Sequence, residues 1–123
     1  MNDSVSMQDV KALGFYLRLV QAPESYNAKN DFQNLQHWVN IILDNFALRL
    51  RKAYPYLTAT ELTICYLQRM GYSHQEMSII MHVKEDTIRR NVYRICERLN
   101  IKSHTRKNNM DKQRAFALIV KSF

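Results

Sequence analysis

The chain has 123 residues, with 18 lysines and arginines against 11 aspartates and glutamates, a formal charge of +7, and only two glycines, two prolines and two cysteines. One domain is expected at this length, and 46% hydrophobic with 24% charged residues excludes a disordered, collagen-like or low-complexity chain. So few turn-forming residues also speak against a β-sandwich and for an all-α fold.

The longest apolar runs, residues 41–43 and 115–120, fall well short of the roughly 18 to 20 residues that span a bilayer. The opening Met1, Asn2, Asp3 and Ser4 lack the basic and apolar parts of a secretory signal, so a cytoplasmic location is expected, with no membrane partner. Cys65 and Cys96 have no CxxC spacing and no histidines beside them, which predicts two buried or half-buried thiols. His74, His82 and His104 show no ligand spacing, so neither a metal nor any other cofactor is expected. Without a Gly-rich phosphate loop, a recognisable nucleophile triad or paired carboxylates in a defined scaffold, catalysis is not expected either.

The charge is uneven. Residues 1–48 carry three basic against five acidic side chains, and the remainder fifteen against six. A basic segment of this kind suits a polyanion, because Lys and Arg that displace condensed counterions supply the sequence-independent part of nucleic-acid affinity. A basic solvated face or an anionic membrane surface would leave the same mark.

In chain order, Met7, Val10, Leu13, Leu17 and Val20 recur at three and four residues and predict an amphipathic helix over about residues 3–20, closed by Pro23. After a loop over 21–29, Asn30 or Asp31 can cap a helix of about 24 residues, or roughly 36 Å, that runs to Pro55. Its seam is Leu35, Trp38, Val39, Ile42, Phe46, Leu50 and Ala53. A helix this long usually packs along another, either the first helix of the same chain or its equivalent in a second subunit. Leu35, Trp38, Val39, Ile42 and Phe46 are therefore the candidate dimerisation residues.

Beyond Pro55, Thr58 and Glu61 form a capping box at the start of a helix that ends near Arg69, with Gly71 at the left-handed stop position. Ser73 and Glu76 form a second box, opening a short helix with Met77, Ile80 and Met81 on one face. After a break at His82, Val83 and Lys84, a third helix runs to about Asn100 and turns Ile88, Val92, Ile95 and Leu99 inward. Two short helices across a tight turn, the second longer and basic, are the layout of a helix-turn-helix.

The segment 57–101 resembles the LuxR/GerE-type helix-turn-helix without a gap. Leu57, Thr58 and Glu61 match the family's opening, Gly71, Ser73 and Glu76 its Gly-x-Ser and following Glu, Thr87, Ile88 and Arg89 the start of its recognition helix, and Arg98, Leu99 and Ile101 its close. The match covers a little over a third of the chain. It departs from the pattern at Ser78, at His82 in the turn where a positive φ is called for, and at Lys84 in place of a Ser or Thr cap. It departs again at the basic run 102–109 that precedes a last helix from Met110.

The resemblance implies an all-α helix-turn-helix bundle, preceded in this chain by the two N-terminal helices that the apolar spacing predicts, one of them long. It divides the chain into a dimerisation or docking region (1–56), the DNA-binding domain (57–101), and a basic linker with a C-terminal helix (102–123). It implies a transcriptional regulator, or the DNA-binding effector part of a larger one, that reads the major groove of double-stranded DNA, as a homodimer.

The outward side of the third helix then offers Arg89, Arg90 and Tyr93 for base contacts. Ser73, Gln75, Lys84, Thr87, Arg94 and Arg98 are the candidates for phosphate. The bland reading makes Arg89 and Arg90 solvated partners of Glu85 and Asp86 at i, i+4, and Tyr93 a surface aromatic. A further alternative is a helical protein-interaction module that uses the same shape to bind RNA polymerase or another regulator. At this length the signal is expected to be received by a separate sensor protein, unless the chain is a fragment.

Overall fold

The computed structural model of the protein describes residues 6–99, 116–117 and 120–121. Among the described residues the regular structure is helical throughout, with six α-helices, one 3-10 turn and no strand. Helix α1 spans Met7–Gln21 and α2 spans Ala28–Ile42; α3 is Phe46–Ala53, α4 Ala59–Arg69, α5 His74–Met81 and α6 Glu85–Arg98.

A capping box starts α1: the Ser6 hydroxyl accepts from the Asp9 N–H at 3.1 Å, and the Asp9 carboxylate accepts from the Ser6 N–H at 3.3 Å. The helix therefore begins at Met7, four residues later than its apolar pattern suggests. It runs antiparallel to α2, with Asp9 against His37 at one end and Arg18 against Asp31 at the other. Between the two helices, the 3-10 turn Pro23–Ser25 is pinned by the Arg18 guanidinium, which donates to the Ser25 carbonyl and hydroxyl, both at 3.1 Å. Asp31 is buried, and its charge is met by Arg18 at 2.5 Å and by the Asn27 N–H at 2.8 Å. Asn27, rather than Asn30 or Asp31, caps α2.

The expected single long helix is two helices. Asp44 and Asn45 both take left-handed backbone, at φ 52° and 59°, and two such residues in succession end one helix and redirect the chain into the next. Asp and Asn are the non-glycine residues that adopt this conformation most readily. The carbonyls freed at the end of α2 find other donors: Arg49 reaches those of Leu43 and Asp44, and the Asn45 N–H reaches that of Asn40. The Asn40 side chain accepts from the Leu48 N–H at 3.0 Å.

The break folds the apolar seam back on its own chain. Leu35, Val39 and Phe46 are each 0% exposed in the core, and Trp38 stacks on Tyr16 with ring centroids 4.6 Å apart. Of the five residues expected at a dimer seam, only Ile42 is an exposed large hydrophobic. The Trp38 indole N–H is buried and has no hydrogen-bond partner among the described residues.

Helix α1 also turns the other way from its pattern. Ala12, Phe15 and Leu19 face the core, whereas Met7, Val10, Leu13, Leu17 and Val20 are all exposed.

Helix α4 is the centre of the bundle, buried on every residue from Glu61 to Leu67. Tyr66 donates to the Gln36 side chain at 2.7 Å and lies against the rings of Phe32 and Phe46. One continuous apolar cluster thus joins Phe15, Leu19, Leu35 and Val39 to Met77, Ile80, Ile88 and Val92. Cys65 and Cys96 are buried and form no disulfide, and burial with the nearby Glu61 charge pushes the Cys65 thiol up to about 12. Phe116 and Val120 are buried in the same core on helical backbone; residues 100–115, with the whole basic run 102–109 and the expected start of the last helix at Met110, lie outside the described residues.

Candidate nucleic-acid interface

Two capping boxes frame the helix-turn-helix. Thr58 accepts from the Glu61 N–H at 3.1 Å while Glu61 accepts from the Thr58 N–H at 2.9 Å, and Ser73 and Glu76 repeat the exchange at 3.1 and 2.8 Å. Gly71, at φ +96°, stops α4 with a backbone that L side chains rarely adopt. His82 closes α5 in left-handed backbone, φ 59° and ψ 41°, as its place in the turn requires. Its ring nitrogen Nε2 lies 3.0 Å from the Tyr26 carbonyl, tying the turn to the N-terminal hairpin.

Met77 and Ile80 of α5 and Ile88, Val92, Ile95 and Cys96 of α6 are buried against one another and α4. That inward set fixes the rotation of α6. Arg89, Arg90, Tyr93, Arg94 and Glu97 are exposed. Arg89 meets Asp86 at 3.6 Å, one turn back, rather than Glu85; Arg90 donates to the Thr87 hydroxyl at 3.4 Å. Both contacts are long and exposed, so neither guanidinium is firmly held.

Lys84 is the N-cap residue of α6 and makes no capping hydrogen bond, so Glu85 and Asp86 in the first turn are left to complement the helix dipole. The Ser73 hydroxyl is engaged as an acceptor at the cap of α5. Gln75 is exposed beside it. Half-buried His74, in the first turn of α5, lies within reach of the charges of Arg89 and Glu85 at the start of α6. Burial, reinforced by Arg89, holds its imidazole below the usual histidine range.

Arg98 stands apart from the other candidates. Its Nε donates to the buried Glu61 carboxylate at 2.9 Å, and its carbonyl accepts from the Tyr56 hydroxyl at 2.8 Å. The side chain expected to meet phosphate is, within the fold, the counter-ion of an interior carboxylate. Sequence spacing gives no sign of this pair, because its members lie on different helices. Among the described residues no cluster of His, Cys, Asp and Glu is arranged to hold a metal ion, and no helix is long and apolar enough to cross a membrane.

No family model, curated protein or solved structure matches the chain.

Proposed function

We propose that the protein is a sequence-specific DNA-binding transcriptional regulator that inserts α6 into the major groove. The observation that carries the reading is the two-sidedness of α6: Ile88, Val92 and Ile95 are fully buried, while Arg89, Arg90, Tyr93 and Arg94 are exposed on a rigid, twice-capped frame. The resemblance of residues 57–101 to the LuxR/GerE-type motif supports the same docking mode.

In this reading Arg89, Arg90 and Tyr93 reach base edges. Lys84, Thr87, Arg94 and the start of α5 at Ser73 and Gln75 hold phosphates, a use of exposed N–H groups and cations common at helix N-termini. Two copies would read paired half-sites about one helical turn apart.

The test is affinity for duplex DNA as a function of salt. Several phosphate contacts predict a steep linear fall of log affinity with log salt, with a slope near −0.9 for each phosphate neutralised. A flat response, or no binding at low salt, would overturn the reading and favour a protein partner for the same surface.

A further inference from the structure

Helix α1 is apolar on both sides. Its inner face is spent in the core, and its outer face carries Met7 at 69%, Val10 at 53%, Leu13 at 46%, Leu17 at 52% and Val20 at 56% exposure. An exposed apolar stripe of this length on a surface helix marks an interaction face.

Val10, Leu13, Leu17 and Val20 follow one another at intervals of three, four and three, the spacing of a coiled-coil seam. Read from either end, the order is Val, Leu, Leu, Val, with its midpoint at Phe15, whose own side chain points into the core. A surface with this inverted symmetry complements itself across a two-fold axis, as a closed dimer requires.

We infer that the outer face of α1 is a homodimer interface, in which the α1 helices of two copies pair antiparallel about a two-fold axis near residue 15. Val10 of each copy then shares a layer with Val20 of the other, and Leu13 with Leu17. Gly14 flanks the seam close to the axis, and a Cβ built there meets nothing within 4 Å, so the two backbones can approach closely. At the Val20 end the apolar surface continues into a shallow cleft of about 210 Å³ shared with Pro23, Tyr72 and Ile79. An antiparallel partner brings its own first turn, with Met7, to this end of the helix.

The stripe offers on the order of 500 Å² of apolar surface, toward the upper range of the largest patch on an ordinary monomer. Two copies joined through it bury roughly 1,000 Å², the lower bound of a specific, reversible interface. The dimer is therefore expected to dissociate in the micromolar range. It does not depend on the DNA reading.

Sedimentation equilibrium of the full chain without DNA tests it. The expected result is a mass rising from the 14.6 kDa monomer to twice that value across micromolar concentrations. Leu17→Glu is expected to abolish the rise and leave the helical circular dichroism unchanged, because Leu17 is exposed in the monomer. A wild-type chain that stays monomeric, or a Leu17→Glu variant that still dimerises, overturns the proposal. Orientation is read by oxidation: Val10→Cys mixed with Val20→Cys should give the mixed disulfide, while Val10→Cys alone should not cross-link. Efficient self-linking of Val10→Cys would mean parallel helices and overturn the antiparallel pairing.

Discussion

Glu61 and Arg98 join the first turn of α4 to the last turn of α6 through a 2.9 Å ion pair in which the Glu61 side chain is 5% exposed. The same carboxylate accepts from the Thr58 N–H. One side chain thus caps its own helix and anchors the far end of the helix that carries the candidate DNA face.

Removing the arginine leaves a buried carboxylate with the neutral Thr58 N–H as its partner among the described residues. Arg98→Ala is expected to lower unfolding stability by about 2 kcal/mol, the range for hydrogen bonds to charged groups, as read by urea denaturation. If Arg98 serves only the frame, the salt slope of DNA binding stays at its wild-type value. A slope reduced by about one would return Arg98 to the phosphate contacts.

The exposed arginines should separate by role. Arg89→Ala is expected to relax preference at one base pair by about 1–3 kcal/mol, whereas Arg94→Ala should weaken binding to all sequences alike. Affinity measured over a panel of single-base variants of a selected site distinguishes the two patterns.

The break between α2 and α3 rests on left-handed backbone at Asp44 and Asn45. Asn45→Ala is expected to cost about 1 kcal/mol, because a Cβ with no local hydrogen-bonding ability disfavours this conformation, while Asn45→Gly should be nearly neutral. Urea midpoints of the two variants provide the comparison.

Asp9 gives a pH signature. Its hydrogen bond with His37, opposed by desolvation and aided by the hydrogen bonds to Ser6, holds the carboxyl below its ordinary 3.8. Stability from a depressed carboxyl is present above the unfolded value and is lost as pH falls through the folded one. Asp9→Asn should therefore be less stable than wild type at neutral pH, with the difference closing below about pH 4. Thermal unfolding across an acid series reads the convergence.

Much of the second half of the bundle was legible in the sequence because its signals are local. Thr58 with Glu61 and Ser73 with Glu76 lie three residues apart, Gly71 sits at a forced stop, and the spacing from Ile88 to Leu99 sets which side of α6 is inward. The first half misleads for an equally physical reason. Two apolar stripes run along α1, and nothing local says whether Ala12, Phe15 and Leu19 or the larger Val10, Leu13, Leu17 and Val20 meet the core. The turn at Asp44 and Asn45 uses neither Gly nor Pro, so a helical period passes through it unmarked. The Glu61 to Arg98 contact is invisible to spacing because it forms only when α4 and α6 pack.

Tyr66 lends the helix-turn-helix its footing: ring and hydroxyl are received by Phe32, Gln36 and Phe46, all contributed by α2 and α3. The segment 57–101 is consequently not a portable module. A fragment cut at its sequence boundary would uncover a fully buried aromatic and strand its hydroxyl, so any transplant of the candidate DNA face into another protein has to carry α2 and α3 with it.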